Sequence, residues 1–463
     1  MLILLLFILL TSTPHQVSPT NHNQTHLQPP LTMDPSELQT LYSIMETLSS
    51  DQKWRVNYPN PCKPSTSWVG IECKPGVKDS HLHITRLDFG TPPNPNCKNT
   101  ATFPSQIFQL PYLKSAFFFQ CFTKTKTTIS FSKTILPSSS SLQQLSLRSN
   151  PSLVGSIPPQ LFTSLSSLHI LTLSQSKISG MIPPEISHSK SLVHLDLSYN
   201  HLTGPIPLQL WSLKNLVGLD LSYNALSGSV PNSIGQLSML QKLDLSSNLL
   251  TGSVPNGIGK LSSLVFIALS NNRFRGKPPV ELKNLNRLEY LIMENNPIST
   301  KLPMEFGLLS KLQELRLANS DHSGEIPASF SSLSNLTTLS LENNRLTGKI
   351  PVGMANLSRI YHLNLSKNWL SGEIPFDSGF LNRLGKNLDI SGNRELCLDP
   401  MEAFECARFG VLVCNGSNTR VGSVSSSSSS RVKPLKRSEG LVVGMSRPTL
   451  LIVVLVLARC VGI

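Results

Sequence analysis

The sequence has few charged side chains and lacks the short motifs that catalysis requires. Charged residues make up only 14% of the 463 positions. There is no glycine-rich phosphate-binding loop, no His-Glu-x-x-His, and no Gly-x-Ser-x-Gly set between a strand and a helix. Four histidines are isolated within the central region, so we interpret them as solvated or packed side chains: His169, His194, His201 and His362. We therefore predict no enzyme, no cofactor and no metal site.

A long uninterrupted hydrophobic run is missing as well. Residues 441–463 are mostly apolar, but two arginines and a proline interrupt them, and the run from Leu450 to Ala458 has only nine residues. A membrane-spanning helix needs about 20. Three alternatives stay open for this tail: a lipid-anchor signal with Ser438 as the attachment residue, a weak membrane helix, or a soluble cell-wall protein. A Ser-rich and basic linker precedes it at 421–440.

The other end of the chain predicts secretion. Residues 1–20 contain the apolar run Leu2 to Leu10, which has the length of a signal-peptide core and is too short to span a bilayer. Five Asn-x-Ser/Thr sequons agree with an extracellular, glycosylated chain. They lie at Asn23, Asn335, Asn356, Asn364 and Asn415.

The formal net charge of +13 is unevenly distributed. Residues 431–463 hold six basic side chains and one acidic side chain, so they account for five of the thirteen charges. The remaining +8 is spread over 430 residues with no basic run inside the repeats. This distribution favours a solvated surface over a phosphate-binding or pectate-binding patch, and we expect no nucleic-acid partner.

The cysteines cluster towards the two ends, and none lies between Cys121 and Cys397. We expect disulfides among seven of them: Cys62, Cys73, Cys97, Cys121, Cys397, Cys406 and Cys414. Nearness in the sequence pairs Cys62 with Cys73 and Cys97 with Cys121, whereas Cys414 pairs with either Cys397 or Cys406. Disulfides at both ends suit a repeat array, because its first and last coils have no neighbouring repeat to cover their core.

A repeat with a 24-residue period is the strongest feature of the sequence. One copy, from Leu192 to Pro207, reads LVHLDLSYNHLTGPIP. The alternation of Leu195, Asp196 and Leu197 predicts a short strand with one buried face, and stacked copies predict a parallel sheet. The asparagine position recurs in eleven units: Asn150, Ser176, Asn200, Asn224, Asn248, Asn272, Asn296, Ser320, Asn344, Asn368 and Asn393.

The residues after each strand have mechanical roles. A buried asparagine amide can satisfy backbone groups that a tight bend leaves unpaired. Ser176 and Ser320 have only a hydroxyl for this task, so we expect their coils to be slightly weaker. The glycine and the Ile-Pro pair that follow, as in Gly204 and Ile206-Pro207, keep the outer side of the coil extended or loosely helical.

Capping segments flank the repeats, which we assign to 138–396. In the amino-terminal cap, 33–137, Asp34 as N-cap, Pro35 in the first turn and Glu37 as a capping-box acid predict a helix. The buried face of that helix carries Leu38, Leu41, Tyr42, Met45 and Leu48. Degenerate repeats follow it, and 397–420 form the carboxyl-terminal cap.

Motifs in and around the repeats resemble a known family. The Gly-x-Ile-Pro units, Asn60-Pro61-Cys62 and Trp68-Val69-Gly70-Ile71-Glu72-Cys73 are similar to those of plant leucine-rich-repeat receptor proteins. The segments MDPSELQTLYSIMETLSSDQKW from Met33 and FFFQCF from Phe117 resemble the receptor-like proteins that have no kinase. The resemblance runs from about Met33 to Cys414.

This resemblance implies an α/β repeat solenoid: a plant-type leucine-rich-repeat superhelix with a parallel concave β-sheet and disulfide-stapled caps. It also implies a ligand-binding or co-receptor subunit at the outer face of the plasma membrane or in the cell wall, acting in defence, symbiosis or development. Such a subunit would bind an extracellular peptide or protein and work with a kinase-bearing receptor partner. The alternative is a secreted wall protein that resembles polygalacturonase inhibitors.

A ligand would bind at the outward positions of the strands, since the core occupies the inward leucines. The candidate ligand-binding residues are Tyr199, Tyr223, Lys242, Phe266, Tyr290, Ile292, Glu294 and Arg316. Phe266, Tyr290 and Ile292 place apolar side chains on a face that water should reach, and aromatic and arginine anchors are typical of interface hot spots. Scattered exposed apolar residues are also normal in proteins. A glycan on Asn364 would direct binding towards the central and amino-terminal coils.

Overall fold

The computed structural model describes residues 31–49, 52–63, 69–77, 79–90, 92–131, 141–401 and 411–414. Several sequence predictions lie outside the described residues. They are the signal peptide, Asn23, Trp68, Cys406, Asn415, the linker, Ser438 and the hydrophobic tail.

Within these ranges, fifteen strands form one sheet, which we call the principal sheet. Neighbouring strands are parallel, except that Ile71–Pro75 runs antiparallel to His81–Phe89. The strands are Thr32–Met33, Ile71–Pro75, His81–Phe89, Ser115–Phe119, Gln144–Arg148, Ile170–Thr172, His194–Asp196, Gly218–Asp220, Lys242–Asp244, Phe266–Ala268, Tyr290–Ile292, Glu314–Arg316, Thr338–Ser340, His362–Asn364 and Leu388–Asp389. The predicted parallel sheet is therefore confirmed, and the cap contributes strands to it.

The register of the principal sheet repeats the period of the sequence. Leu195 pairs with Leu219, which in turn pairs with Leu243, each 24 residues further along the chain. These middle residues of each strand are buried in the core, and the residues on either side of them point outward. Equivalent residues of successive repeats are therefore stacked on one another. Each repeat contacts its neighbours along one axis, and the array is an extended solenoid.

Two smaller parallel sheets follow the asparagine bends. One has six strands: Val154–Gly155, Lys177–Gly180, His201–Pro205, Ala225–Ser229, Leu249–Gly252 and Arg273–Phe274. The other has five: Ser323–Glu325, Arg345–Gly348, Trp369–Glu373, Glu395–Leu398 and Leu412–Val413. The coil between them contributes only an isolated bridge from Lys301 to Ser323. Pro297, which follows Asn296 there, has no N–H to donate to a ladder.

Short helical turns form the remaining side of the coils, as predicted from the prolines. The α-helices are Pro35–Leu48, Trp54–Asn57, Gln160–Ser164 and Ser378–Leu384. The 3₁₀ helices are Ser105–Gln109, Pro184–His188, Leu208–Ser212, Asn232–Gln236, Asn256–Lys260, Val280–Asn284, Met304–Leu308, Ala328–Ser332, Val352–Asn356 and Gly385–Asn387.

The amino-terminal helix begins as predicted, but one of its residues has a different role. Asp34 Oδ1 accepts hydrogen bonds from the backbone N–H groups of Ser36 at 2.9 Å and Glu37 at 3.0 Å. The prediction of Glu37 as a capping-box acid is wrong. Its carboxylate instead contacts the ring of His83 and accepts a bond from the N–H of Ile84, because these buried groups need a partner.

The asparagine position forms a ladder between coils, which confirms the predicted role of its amide. Asn224 Oδ1 accepts a bond from Leu202 N at 2.9 Å, and its Nδ2 donates to the carbonyls of Leu197 and Leu221 at 3.0 and 3.2 Å. Ser320 lacks the amide oxygen that would accept from Ile298 N, and that N–H bonds to Asn296 O instead.

Three disulfides join cysteines of the described residues, all of them near the two ends of the repeat array. Cys62–Cys73 and Cys97–Cys121 confirm the pairs expected from proximity. The third is Cys397–Cys414, which decides between the two partners considered for Cys414.

Candidate ligand-binding site

The register brings most of the predicted binding residues onto neighbouring strands. One outward row runs Lys242, Phe266, Tyr290, Glu314, and the next row runs Asp244, Ala268, Ile292, Arg316. Glu294 follows Ile292 by two positions, so it lies just beyond the strand. We call this set the central patch: Lys242, Asp244, Phe266, Ala268, Tyr290, Ile292, Glu294, Glu314 and Arg316.

The middle of the central patch is a small apolar cluster that is separate from the main core. Phe266, Ala268 and Ile292 pack together, with Tyr290 against them. The ring centroids of Phe266 and Tyr290 are 5.9 Å apart. Phe266 is only 2% exposed and Ile292 only 6%, so the expectation that water reaches them is wrong. Side chains on adjacent strands stand close enough to cover one another, and Tyr290 remains half-buried.

Lys242 closes one side of the cluster. Its ammonium lies 2.8 Å from Asp220 Oδ2 and 5.8 Å from the centroid of the Phe266 ring. The side chain is nearly inaccessible, so this predicted binding residue is engaged within the protein. Burial raises the pKa of Asp244 to about 7, repulsion from Asp220 adds to the rise, and Lys242 opposes it.

Asp220 and Asp244 were not among the residues predicted for the site. The signal that could have found Asp220 is its separation of 22 residues from Lys242, two fewer than the period. In a stack with a 24-residue register, that separation places two outward side chains on adjacent strands, close enough for an ion pair.

Charged side chains also lie along the other side of the apolar cluster. Glu314 is buried and forms an ion pair with Arg316. Burial raises the pKa of Glu294, Arg316 counteracts this rise, and repulsion from Glu342 and Glu314 adds to it. An apolar centre thus lies between two borders of ionisable side chains.

The outward face of these coils is acidic although the whole chain is basic. Its carboxylates outnumber its cations, Lys242 and Arg316. The carboxylates are Asp196, Asp220, Asp244, Glu294, Glu314 and Glu342. The local field at the sheet therefore has the opposite sign to the net charge of +13.

Tyr199 and Tyr223, the remaining predicted residues, lie where two earlier strands end. Their rings stack with centroids 4.1 Å apart and planes 8° apart. Both residues have a positive φ of 54° in the bend after the strand. They extend the aromatic surface along the edge of the sheet but lie outside the central patch.

Three predicted glycosylation residues belong to the described part of the chain. Asn335 precedes the strand Thr338–Ser340, and Asn356 ends a 3₁₀ helix and is exposed. Asn364 is the last residue of the strand His362–Asn364, at an outward position of the principal sheet. A glycan there would stand near the carboxyl-terminal end of the face; its presence stays a prediction.

The described ranges contain no group of three or more His, Cys, Asp or Glu side chains arranged to hold a metal ion. Within the same ranges, the longest apolar helices fall short of what a bilayer crossing requires.

Models of the leucine rich repeat match this chain over most of the array. One matches residues 140–202 and 310–370, and a second matches 215–237, 239–261, 263–285 and 287–309. The matched segments lie between residues 140 and 370, and the longest gap between them is 203–214.

Two curated relatives come from Arabidopsis thaliana. Receptor like protein 29 is 61% identical over 145 residues, which is 31% of this chain and 31% of the relative. Piriformospora indica-insensitive protein 2 is 33% identical over 148 residues, 30% of this chain and 33% of that protein. The chain therefore matches about a third of the length of each relative.

Among solved structures, the fold is similar to the leucine-rich-repeat ectodomain of the Arabidopsis receptor kinase HAESA in complex with an N-terminal extended IDA peptide hormone ligand. The TM-score is 0.65 at 27% identity, covering 82% of this chain and 61% of that one. By its repeats and its solenoid, the chain has the leucine-rich-repeat fold, and over about a third of its length it is similar to plant receptor-like proteins.

Proposed function

We propose that this chain is an extracellular ligand-binding or co-receptor subunit that holds a peptide or protein ligand on the principal sheet and catalyses no reaction itself. The observation that carries the proposal is the apolar cluster of the central patch. It lies outside the main core, on the outward side of the sheet, between borders of charged side chains. An apolar anchor surrounded by polar groups is the usual anatomy of a recognition surface.

The shared fold supports this use of the sheet. The HAESA ectodomain, which this chain resembles over most of its length, has a peptide hormone as its bound ligand. A stack of strands about 4.8 Å apart offers an extended peptide a row of equivalent positions.

The charges of the face indicate the chemistry of such a ligand. Burial and mutual repulsion raise the pKa of Glu294, and Glu342 contributes to that repulsion. A cationic group of the ligand would relieve the repulsion, while an apolar side chain would cover Tyr290 and the cluster beneath it. We therefore expect a peptide that carries both.

The test is capture of peptides by the full, glycosylated chain. Immobilised protein would be incubated with the peptide fraction of plant apoplastic fluid, and the bound peptides identified by mass spectrometry. We expect Tyr290→Ala to lower recovery of the specific peptides at least tenfold, because it removes the accessible part of the cluster. Val352→Ala is the matched control, since Val352 is 76% exposed on a 3₁₀ helix outside the principal sheet.

The outcome that would contradict the proposal is a peptide set that wild type, Tyr290→Ala and Val352→Ala all retain equally. Equal secretion of the three proteins is required, since a loss of secretion would point to a structural defect. The same proteins would be assayed against a polygalacturonase. Inhibition without peptide capture would replace this proposal with the wall-inhibitor function.

The mode of attachment is a further part of the proposal: the tail 441–463 anchors the chain at the cell surface, where a kinase-bearing receptor partner would carry the signal inward. A tag inserted between residue 20 and Met33 would follow the protein in plant cells. Release by phospholipase C would support a lipid anchor, release by detergent alone a membrane helix, and free recovery in wall fluid would refute anchoring.

A further inference from the structure

A cleft of about 820 Å³ opens on the five-stranded sheet, where the coils of Asn344, Asn368 and Asn393 meet. Its lining includes Trp369, Lys367, Arg394 and Glu395. The volume lies within the range of about 300–1,000 Å³ that ligand sites occupy. The cleft is not part of the central patch, because the strand Trp369–Glu373 belongs to a different sheet.

Trp369 is the unusual side chain of this cleft. It is 64% exposed, whereas Trp54 and Trp211 are both buried. The indole carries a large apolar surface, and tryptophan is enriched at binding hot spots for this reason.

The fold imposes this exposure. Trp369 pairs with Thr347, and the next residue, Leu370, is fully buried in the core, so the alternation of the strand turns the indole outward. The preceding Asn368 is fixed by bonds from its Nδ2 to the carbonyls of Leu341 at 2.9 Å and Leu365 at 3.1 Å. The indole is therefore presented from a rigid backbone, which lowers the ordering cost of binding.

Two cations accompany the indole. Lys367 and Arg394 line the same cleft, and neither forms an ion pair with any side chain in the described ranges. The backbone of Lys367 is held by a bond from its N–H to Ser391 O at 2.8 Å. Glu395 is the acidic residue of the lining, so two positive charges face one negative charge.

We propose that the Trp369 cleft binds an acidic segment of a partner protein, with an apolar side chain on the indole and carboxylates on Lys367 and Arg394. A simple anion would engage the cations and leave the indole in water, so the combination fits a peptide segment better. Because this sheet is separate from the principal sheet, a ligand on the central patch and a partner in the cleft can be bound together.

An array of random peptides tests the proposal on the full chain. We expect the wild-type protein to select peptides enriched in Asp and Glu around an apolar residue. Trp369→Ala should weaken binding of a selected peptide about 30-fold, as for an interface hot spot. The double charge reversal Lys367→Glu with Arg394→Glu should change the preference to basic peptides.

Leu249→Ala is the matched control, because Leu249 follows Asn248 as Trp369 follows Asn368 and is also exposed, at 39%. Its peptide selection should equal that of wild type. The proposal is overturned if wild type shows no acidic enrichment or if the enrichment survives Trp369→Ala. It is also overturned if a photo-crosslinker at position 369 reacts only within the chain. Tyr290→Ala should leave the peptide selection on this array unchanged. The proposal for the cleft and the proposal for the central patch can therefore fail independently.

Discussion

Two histidines are buried to a similar extent in different regions of the molecule, and their surroundings are opposite. In the amino-terminal cap, the ring nitrogens of His83 lie 2.7 Å from Glu37 Oε1 and 2.9 Å from Asp79 Oδ1. In the central repeats, His322 Nδ1 lies 3.0 Å from Thr300 O, and its Nε2 has no hydrogen-bond partner in the described part of the chain. Burial alone therefore does not decide what a histidine does.

The pKa values of the two rings move in opposite directions. Burial by itself lowers the pKa of His83, but hydrogen bonds to Asp79 and Glu37 more than compensate, and the pKa is raised. Burial also lowers the pKa of His322, and there the Thr300 carbonyl and Asp321 only partly oppose it. The Asp79 and Glu37 carboxylates beside His83 account for the opposite directions of the two pKa shifts.

These directions give the two regions opposite responses to pH. The raised pKa of His83 contributes stability that is complete below the ordinary value of about 6.5 and is lost as pH rises through the folded-state pKa. The lowered pKa of His322 costs stability as pH falls from about 6.5 towards its folded-state value. Acidification should therefore stabilise the cap and loosen the coil of His322.

Glu37→Ala should destabilise the amino-terminal cap more than any other change considered for these two histidines. It removes a buried partner of His83 and leaves the N–H of Ile84 unpaired, which should cost about 3 kcal/mol. Hydrogen exchange of the helix Pro35–Leu48 measures the loss. Glu46→Ala, which removes an exposed ion pair with Arg55, is the control and should change the protection of the helix far less, because solvent screens that pair. Equal effects would disprove the role assigned to Glu37.

His322→Leu should have the opposite sign and stabilise its coil of the central repeats. Leucine occupies this position at Leu202, Leu226, Leu250, Leu346 and Leu370. Removing the unpaired Nε2 should stabilise the coil by about 1–2 kcal/mol, and by more at pH 5 than at pH 7.5. Local hydrogen exchange at Ser323–Glu325 measures this. His201→Leu at an exposed site should change nothing, and a pH-independent gain at position 322 would contradict the titration argument.

Asp79→Asn should change stability little and separates the contributions of the two carboxylates to the pKa of His83. Asp79 is partly exposed, so solvent screens its interactions and its loss should change stability less than either of the two changes above. It should nevertheless lower the pKa of His83, because one of the two carboxylates on the ring is neutralised. An NMR titration of His83 measures the shift, and an unchanged pKa would mean that Glu37 alone determines it.

The sequence predicted those features that depend on the period and on near neighbours. The 24-residue spacing predicted the parallel sheet and the asparagine bonds, and proximity predicted two disulfides. The inward pairing of Glu37 was not predicted, because its partner His83 lies 46 residues away and nothing local distinguishes it from a capping-box acid. The closure over Phe266 was missed because it depends on side chains of adjacent strands, Lys242 and Tyr290, at once.

The hydrogen bonds of the asparagine position link each coil to the coil before it. The N–H of Leu202 donates to Asn224 and the N–H of Leu226 donates to Asn248, so a bend is completed by the following coil wherever that coil carries the asparagine. During synthesis, the bend of the newest coil lacks these bonds until the asparagine of the next coil has been made. Any coil that carries the asparagine can supply these bonds. A copy of 24 residues can therefore be gained or lost in register without leaving a backbone N–H of a bend unpaired. The array can therefore change its length in evolution while the disulfide-stapled caps stay the same.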